Sequence, residues 1–184
     1  MLISITEIVY LAIVTAVIGY IFMDFIPRAY GSYIKKRFDW NNFKIACLIV
    51  APGVVFHELA HKFVAMSFGL SAIFQIWPFG LVLGVFLKII GSSFILLAPG
   101  YVGISSGATV PQLTLISFSG PLINLILWLG SWAILNRARL TRKQAVSLYL
   151  LKQINMWLFI FNMLPIPPLD GSKVFYGLYK LIFG

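Results

Sequence analysis

The chain has 184 residues, 60% of them hydrophobic and only 10% charged, with a formal net charge of +9. A soluble domain carries about a quarter charged residues, so this composition cannot cover a water-facing surface and calls for a lipid solvent. Nucleic acid is not the expected partner of the basic excess: the Lys and Arg residues fall mainly in short gaps between apolar runs, in Tyr30–Arg37 (YGSYIKKR) and Asn136–Lys143 (NRARLTRK), where they suit the headgroups of a lipid bilayer.

The first apolar run, Ile5–Phe25, meets the requirement of about 20 residues for crossing a bilayer. It has no basic stretch ahead of it and no small-residue cleavage site, which predicts a retained helix rather than a signal peptide. A polar, basic loop through Asn42 leads to a second span, Phe43 to Phe68, closed by Gly69. Pro52 predicts a kink just over one turn before His57, which either admits water or relieves packing. Cys47 is the single cysteine; it excludes an intramolecular disulfide and reads as a small buried hydrophobe.

The next stretch is less regular. Ala72–Trp77 reads as strand, Pro78-Phe79-Gly80 as a turn, and Leu81–Leu97 as a short span or re-entrant hairpin broken at Lys88 and Gly91. Ala98-Pro99-Gly100 reads as another turn and Tyr101–Ser105 as a short strand. Irregular backbone at membrane depth needs cover from protein or a water-filled cavity, so this region is expected to wall a site. Leu113–Leu135, with Gly120-Pro121 in its first half, and Ala145–Leu164, ended by Pro165, Pro167 and Pro168, are further spans. A short amphipathic helix follows Asp170-Gly171. The expected architecture is an all-α polytopic membrane protein of about four to six transmembrane helices, forming a single domain over residues 1–184.

His57-Glu58-Leu59-Ala60-His61 matches H-E-x-x-H. Residues four apart share a helix face, so both imidazoles can bind one metal ion, with Glu58 beside them to act on a water. Ionisable residues inside an apolar span are costly and mark function; the alternative is a polar cluster that only links helices. The chain has two histidines, both in this motif, whereas a catalytic zinc site usually has three protein ligands. The third must then come from Cys47 or an acid. Glu58 is needed as the base, Glu7 and Asp24 lie near the ends of the first span, and Asp39 sits in a basic loop that suits a surface ion pair. Asp170 remains, approached by an extended proline-rich segment. Its other reading is a helix N-cap, and elimination favours the ligand.

With these residues in hand the chain resembles a known family. HELAH in one span and Asn162–Gly171 (NMLPIPPLDG) near another are similar to the two signature motifs of the site-2 protease family of intramembrane zinc metalloproteases. The second is most similar to the branch that includes the sporulation-factor processing protease, and no PDZ domain is seen. Gly120-Pro121-Leu122-Ile123-Asn124 resembles a third family element. The resemblance implies one zinc ion per chain held by His57, His61 and Asp170, with Glu58 as general base. It implies that Asn124 and Asn162 hold the substrate strand or polarise its carbonyl; interhelical hydrogen bonding is their other reading. It also implies a small membrane-embedded β-hairpin after the second span, and membrane-anchored protein substrates cut within or near their transmembrane segments, as in regulated intramembrane proteolysis at a cell membrane.

Two other chemistries fit poorly. Gly103-Ile104-Ser105-Ser106-Gly107 satisfies G-x-S-x-G, but no histidine follows His61 to serve a serine nucleophile. Asp24 and Asp170 lack the flanking motifs of paired aspartyl proteases. The alternative outside hydrolysis is a membrane metal transporter or sensor using the same ligands, against which Glu58 argues, since transport needs no base there.

Overall fold

The computed structural model describes residues 3–26, 38–92 and 100–184. Its elements run α1 (Ile5–Phe22), a 3-10 turn (Met23–Phe25), α2 (Trp40–Ile49), α3 (Ala51–Ser67), β1 (Ala72–Ile76), α4 (Pro78–Ile89), β2 (Gly100–Ile104), α5 (Val110–Arg137), α6 (Arg142–Asn162) and α7 (Asp170–Phe183). Helices dominate, as the all-α polytopic reading expects, and one small two-stranded sheet joins them. Among the described residues, three helical stretches are long and apolar enough to cross a membrane: Ile5–Phe25, Trp40–Ser67 and Val110–Arg137. The expected span at Ala145–Leu164 is also helical. At 21 residues α6 has the length, about 31 Å at 1.5 Å per residue, but Lys152, Gln153 and Asn155 interrupt its apolar surface. The basic cluster Tyr30–Arg37 and the Ala98-Pro99 part of the second turn lie outside the described residues.

The chain divides into two compact units, Met1–Pro52 with Gln75–Tyr101, and Gly53–Phe74 with Val102–Gly184. In the first, α1 packs on α2 and α4. Ser4 and Glu7 form a reciprocal capping box at the start of α1, which commits the Glu7 carboxylate to a backbone amide 2.8 Å away. Gly19 lets α1 approach the Cys47 sulfur and the Phe43 ring more closely than any side chain would allow. The Cys47 thiol donates to the Thr15 carbonyl at 3.6 Å, so it serves packing. Asp39 is the N-cap of α2, accepting from the amides of Asn41 and Asn42; the basic loop expected to supply an ion partner lies outside the described residues. Asp24 pairs with Lys88 at 3.1 Å.

Two expectations are corrected here. Pro78-Phe79-Gly80 is not a turn but the first turn of α4, where the missing proline amide costs nothing and its fixed φ suits a helix. Lys88 lies inside α4 rather than breaking it, and the helix stops just before Gly91, whose φ of 71° only glycine adopts freely. The kink expected from Pro52 is instead a break: α2 ends at Ile49, α3 begins at Ala51, and the proline occupies the second position of α3.

In the second unit α5 is the central element, with α6 and α7 packed along it. Capping boxes at Thr109/Gln112 and Thr141/Gln144 fix the starts of α5 and α6. Pro121 sits within α5 and removes one rung of its hydrogen-bond ladder. Gly177 brings α7 directly onto the Thr114 side chain of α5, and Gly171 brings it onto the backbone of Met163 and Leu164. The strands pair antiparallel. The Ser105 amide donates to the Ser71 carbonyl at 3.0 Å, and Tyr101 reaches Gln75 across the ladder. Ala65 of α3, Ala72 of β1 and Ile116 of α5 form one buried cluster that seats the start of β1.

Candidate metal centre

α3 carries His57 and His61 one turn apart on one face, and both are buried. Their rings stand edge to face, 4.7 Å between centroids. α7 delivers Asp170 to the same point. Leu169 is the N-cap of that helix, so Asp170 is its first residue and its carboxylate is not spent on capping. Asp170 Oδ2 lies 3.1 Å from Nε2 of each histidine, and the two Nε2 atoms are 3.1 Å from each other. Among the described residues this is the cluster of His, Cys, Asp and Glu able to hold a metal ion.

The protons on these rings follow from their outer partners. The His61 Nδ1–H donates to the Ile116 carbonyl at 2.6 Å, an acceptor that cannot donate. The His57 Nδ1–H donates to Asn124 Oδ1 at 2.7 Å. The orientation of that amide is fixed from its far end: Nδ2 donates to Gly53 O at 3.0 Å and to Asn155 Oδ1 at 2.9 Å, and Asn155 Nδ2 donates to Leu151 O at 2.8 Å. With a proton on each Nδ1, each imidazole turns its Nε2 inward. The two Nε2 atoms and Asp170 Oδ2 then share a space 3.1 Å across. A single cation among them would meet all three ligand atoms.

The spacing suits zinc. Ligands about 2.0–2.1 Å from a tetrahedral ion stand about 3.3–3.4 Å apart, close to what these atoms show. The donor set, two imidazoles and one carboxylate, is that of catalytic zinc sites with an open fourth position. Gly120 of α5 faces both Nε2 atoms. A Cβ there would stand 2.7 Å from His57 Nε2 and closer still to His61 Nε2, so only glycine leaves room. Outer-shell partners that fix tautomer and ring orientation are a usual part of metal sites, and Asn124 and Ile116 fill that part here.

Glu58 follows His57 on α3 and is buried. Asn124 is fully buried against His57. Both its amide hydrogens are already donated, so none faces a substrate carbonyl. Asn162, at the end of α6, donates to the Leu158 carbonyl of its own helix at 3.0 Å. Ser105 of the G-x-S-x-G match belongs to strand pairing, where its hydroxyl accepts from the Ser71 amide. Three contributors were not singled out from sequence: Gly53, the Ile116 carbonyl and Asn155. Asn155 carried a signal, as a fully buried amide in a mostly apolar helix; the other two act through backbone atoms that residue identity does not reveal.

The chain is similar in sequence to known proteins. The profile of Peptidase family M50 matches residues 133–184, a stretch that includes Asn162 and Asp170. Three curated relatives carry provisional names as zinc metalloproteases. MJ0611 of Methanocaldococcus jannaschii is 38% identical over 148 residues, covering 74% of this chain and 74% of that protein. YwhC of Bacillus subtilis is 32% identical, over 64% of this chain and 61% of its own length. The protein sll0528 of Synechocystis sp. is 27% identical, over 76% of this chain and 32% of its own.

Proposed function

Because the chain belongs to peptidase family M50, the site-2 proteases, we propose that it is an intramembrane zinc metalloendopeptidase hydrolysing peptide bonds within or near the transmembrane segments of membrane-anchored proteins. The reading includes one zinc ion per chain, residence in the cell membrane, and a place in regulated intramembrane proteolysis. The observation that carries it is the convergence of three ligand atoms, from His57, His61 and Asp170, with a buried glutamate next to His57 on a membrane-length helical stretch.

His57 Nε2, His61 Nε2 and Asp170 Oδ2 hold the metal, and Asn124 and the Ile116 carbonyl orient the two rings. Zinc bound there supplies Lewis acidity toward a water and toward the scissile carbonyl. Glu58 takes a proton from the attacking water and delivers it to the leaving nitrogen. A helical substrate hides its carbonyls in its own hydrogen bonds, so unwinding precedes attack. The β1–β2 sheet offers backbone groups against which an unwound segment adds as a strand. Asn124 acts as a positioning residue rather than an oxyanion donor, since its amide hydrogens are engaged. Asn162 is a candidate contact for the substrate chain.

The test is Glu58→Gln in purified protein, with a dye-labelled single-span peptide carrying a Gly-Pro pair in its span as substrate. Cleavage is expected to fall by at least about 10²–10⁴-fold, the range of a lost general base, while zinc content stays at the wild-type level. Cleavage at the wild-type rate overturns the assignment of Glu58. Zinc binding without any cleavage by the wild type favours the transporter or sensor reading.

A further inference from the structure

Lys62 follows the second histidine ligand, and it is buried, 3% exposed, in a helical stretch long and apolar enough to cross a membrane. A buried ammonium at such a place is expensive and calls for a role. Its Nζ donates to the Ala72 carbonyl at 2.9 Å. Ala72 is the first residue of β1, and its side chain sits in the cluster with Ala65 and Ile116. Ile116 is in turn the residue whose carbonyl holds the His61 ring. The start of β1 is therefore fastened twice to the elements around the metal site: by a charge-assisted hydrogen bond to α3, which carries both histidines, and by apolar contact with α3 and with α5, which holds the His61 ring. Successive carbonyls along an antiparallel strand point to opposite edges. Ser71 O faces β2, so Ala72 O points away from β2, to the edge where Lys62 takes it.

We infer that Lys62 is a positioning residue that sets the strand β1 at a fixed height relative to the metal, so that a substrate segment paired with the sheet presents its scissile bond to the site. The inference rests on the proteolytic reading for its second half. The first half, the anchoring of β1 by Lys62, stands on contacts alone. Apolar packing at position 62 would leave the Ala72 carbonyl without this donor and the strand free to slide, without touching a metal ligand. Lys62 thus bears on how substrate is held rather than on how the bond is broken.

The experiment compares wild type with Lys62→Met and Lys62→Arg, all zinc-loaded. It uses two readouts: hydrogen exchange of the amides in residues 72–76, and KM and kcat for the dye-labelled Gly-Pro span peptide. Lys62→Met is expected to speed exchange in β1 relative to α5 and to raise KM about tenfold, with kcat within about twofold and zinc content unchanged. Lys62→Arg, which keeps a charged donor, is expected to restore most of both. Should Lys62→Met fail to fold, Lys62→Gln replaces it, its amide being too short to reach Ala72. Unchanged exchange in β1 overturns the anchoring whatever the activity. Faster exchange with unchanged KM overturns the link to substrate, as does a loss confined to kcat. If the wild type cleaves nothing, the proteolytic reading has failed, and the exchange data still decide whether Lys62 holds β1.

Discussion

At the scale of single residues, the metal centre is a balance of protons. Two Nδ1–H groups are donated outward, and what faces inward is a pair of Nε2 atoms and one carboxylate. Asp170→Asn removes the only negative charge among the three ligands, and zinc affinity measured by competition with a chelator is expected to drop sharply; an unchanged affinity would mean another group completes the site. Asn124→Ala leaves all three ligands in place but frees the His57 ring. The expected loss is about 10–100-fold in zinc affinity, the usual cost of removing an outer-shell partner. Gly120→Ala adds a single methyl where both Nε2 atoms already stand, and zinc content per chain should fall well below that of the wild type. The meeting of His57, His61 and Asp170 was legible in the sequence because so few candidates existed: two histidines and five acids, of which Glu7, Asp39 and Asp24 turn out to be engaged in a cap box, an N-cap and an ion pair. The interhelical reading of Asn124 matches its hydrogen bonds to α3 and α6; that its oxygen faces His57 was not legible, because a motif places a residue near a site without saying which way its amide points.

At the scale of elements, the site depends on α7 lying close to α5. That closeness is made by Gly177, where a Cβ would fall on the Thr114 side chain. Gly177→Ala is therefore expected to push away the helix that delivers Asp170 and to weaken zinc binding from two turns further along. Thr114→Gly, which clears the obstruction, should recover part of the loss. A double-mutant cycle on zinc affinity checks this, and strict additivity of the two changes would rule out the contact as the cause. Helices α1, α5 and α6 and both short strands were readable as apolar runs bounded by turn residues. The misreading at Pro78-Phe79-Gly80 has a simple reason: proline and glycine close together signal a turn, yet proline is equally at home in the first turn of a helix. Pro52 is the same case, occupying the start of α3 after a break at Val50.

At the scale of the whole molecule, the ligands come from α3 and α7, and their outer partners mainly from α5, all within the unit Gly53–Phe74 with Val102–Gly184. An ion binding there links elements far apart in sequence, so binding is also stabilisation. Chelator-stripped protein in detergent should melt at a lower temperature than the loaded form. Zinc at a hundredfold excess over its Kd is expected to stabilise by about 2.7 kcal/mol. The same titration on Asp170→Ala should give a much smaller shift; an equal shift would place the stabilising ion elsewhere.

The distance along the chain between the ligands has a bearing on the life of the protein in a cell. His57 and Asp170 are separated by 113 positions, with the intervening helices inserted between them. A ribosome therefore threads the H-E-x-x-H helix into the bilayer long before the carboxylate that completes the site exists. The three side chains therefore meet only after residue 170 has emerged and α7 has docked, so the site exists at no earlier stage of synthesis.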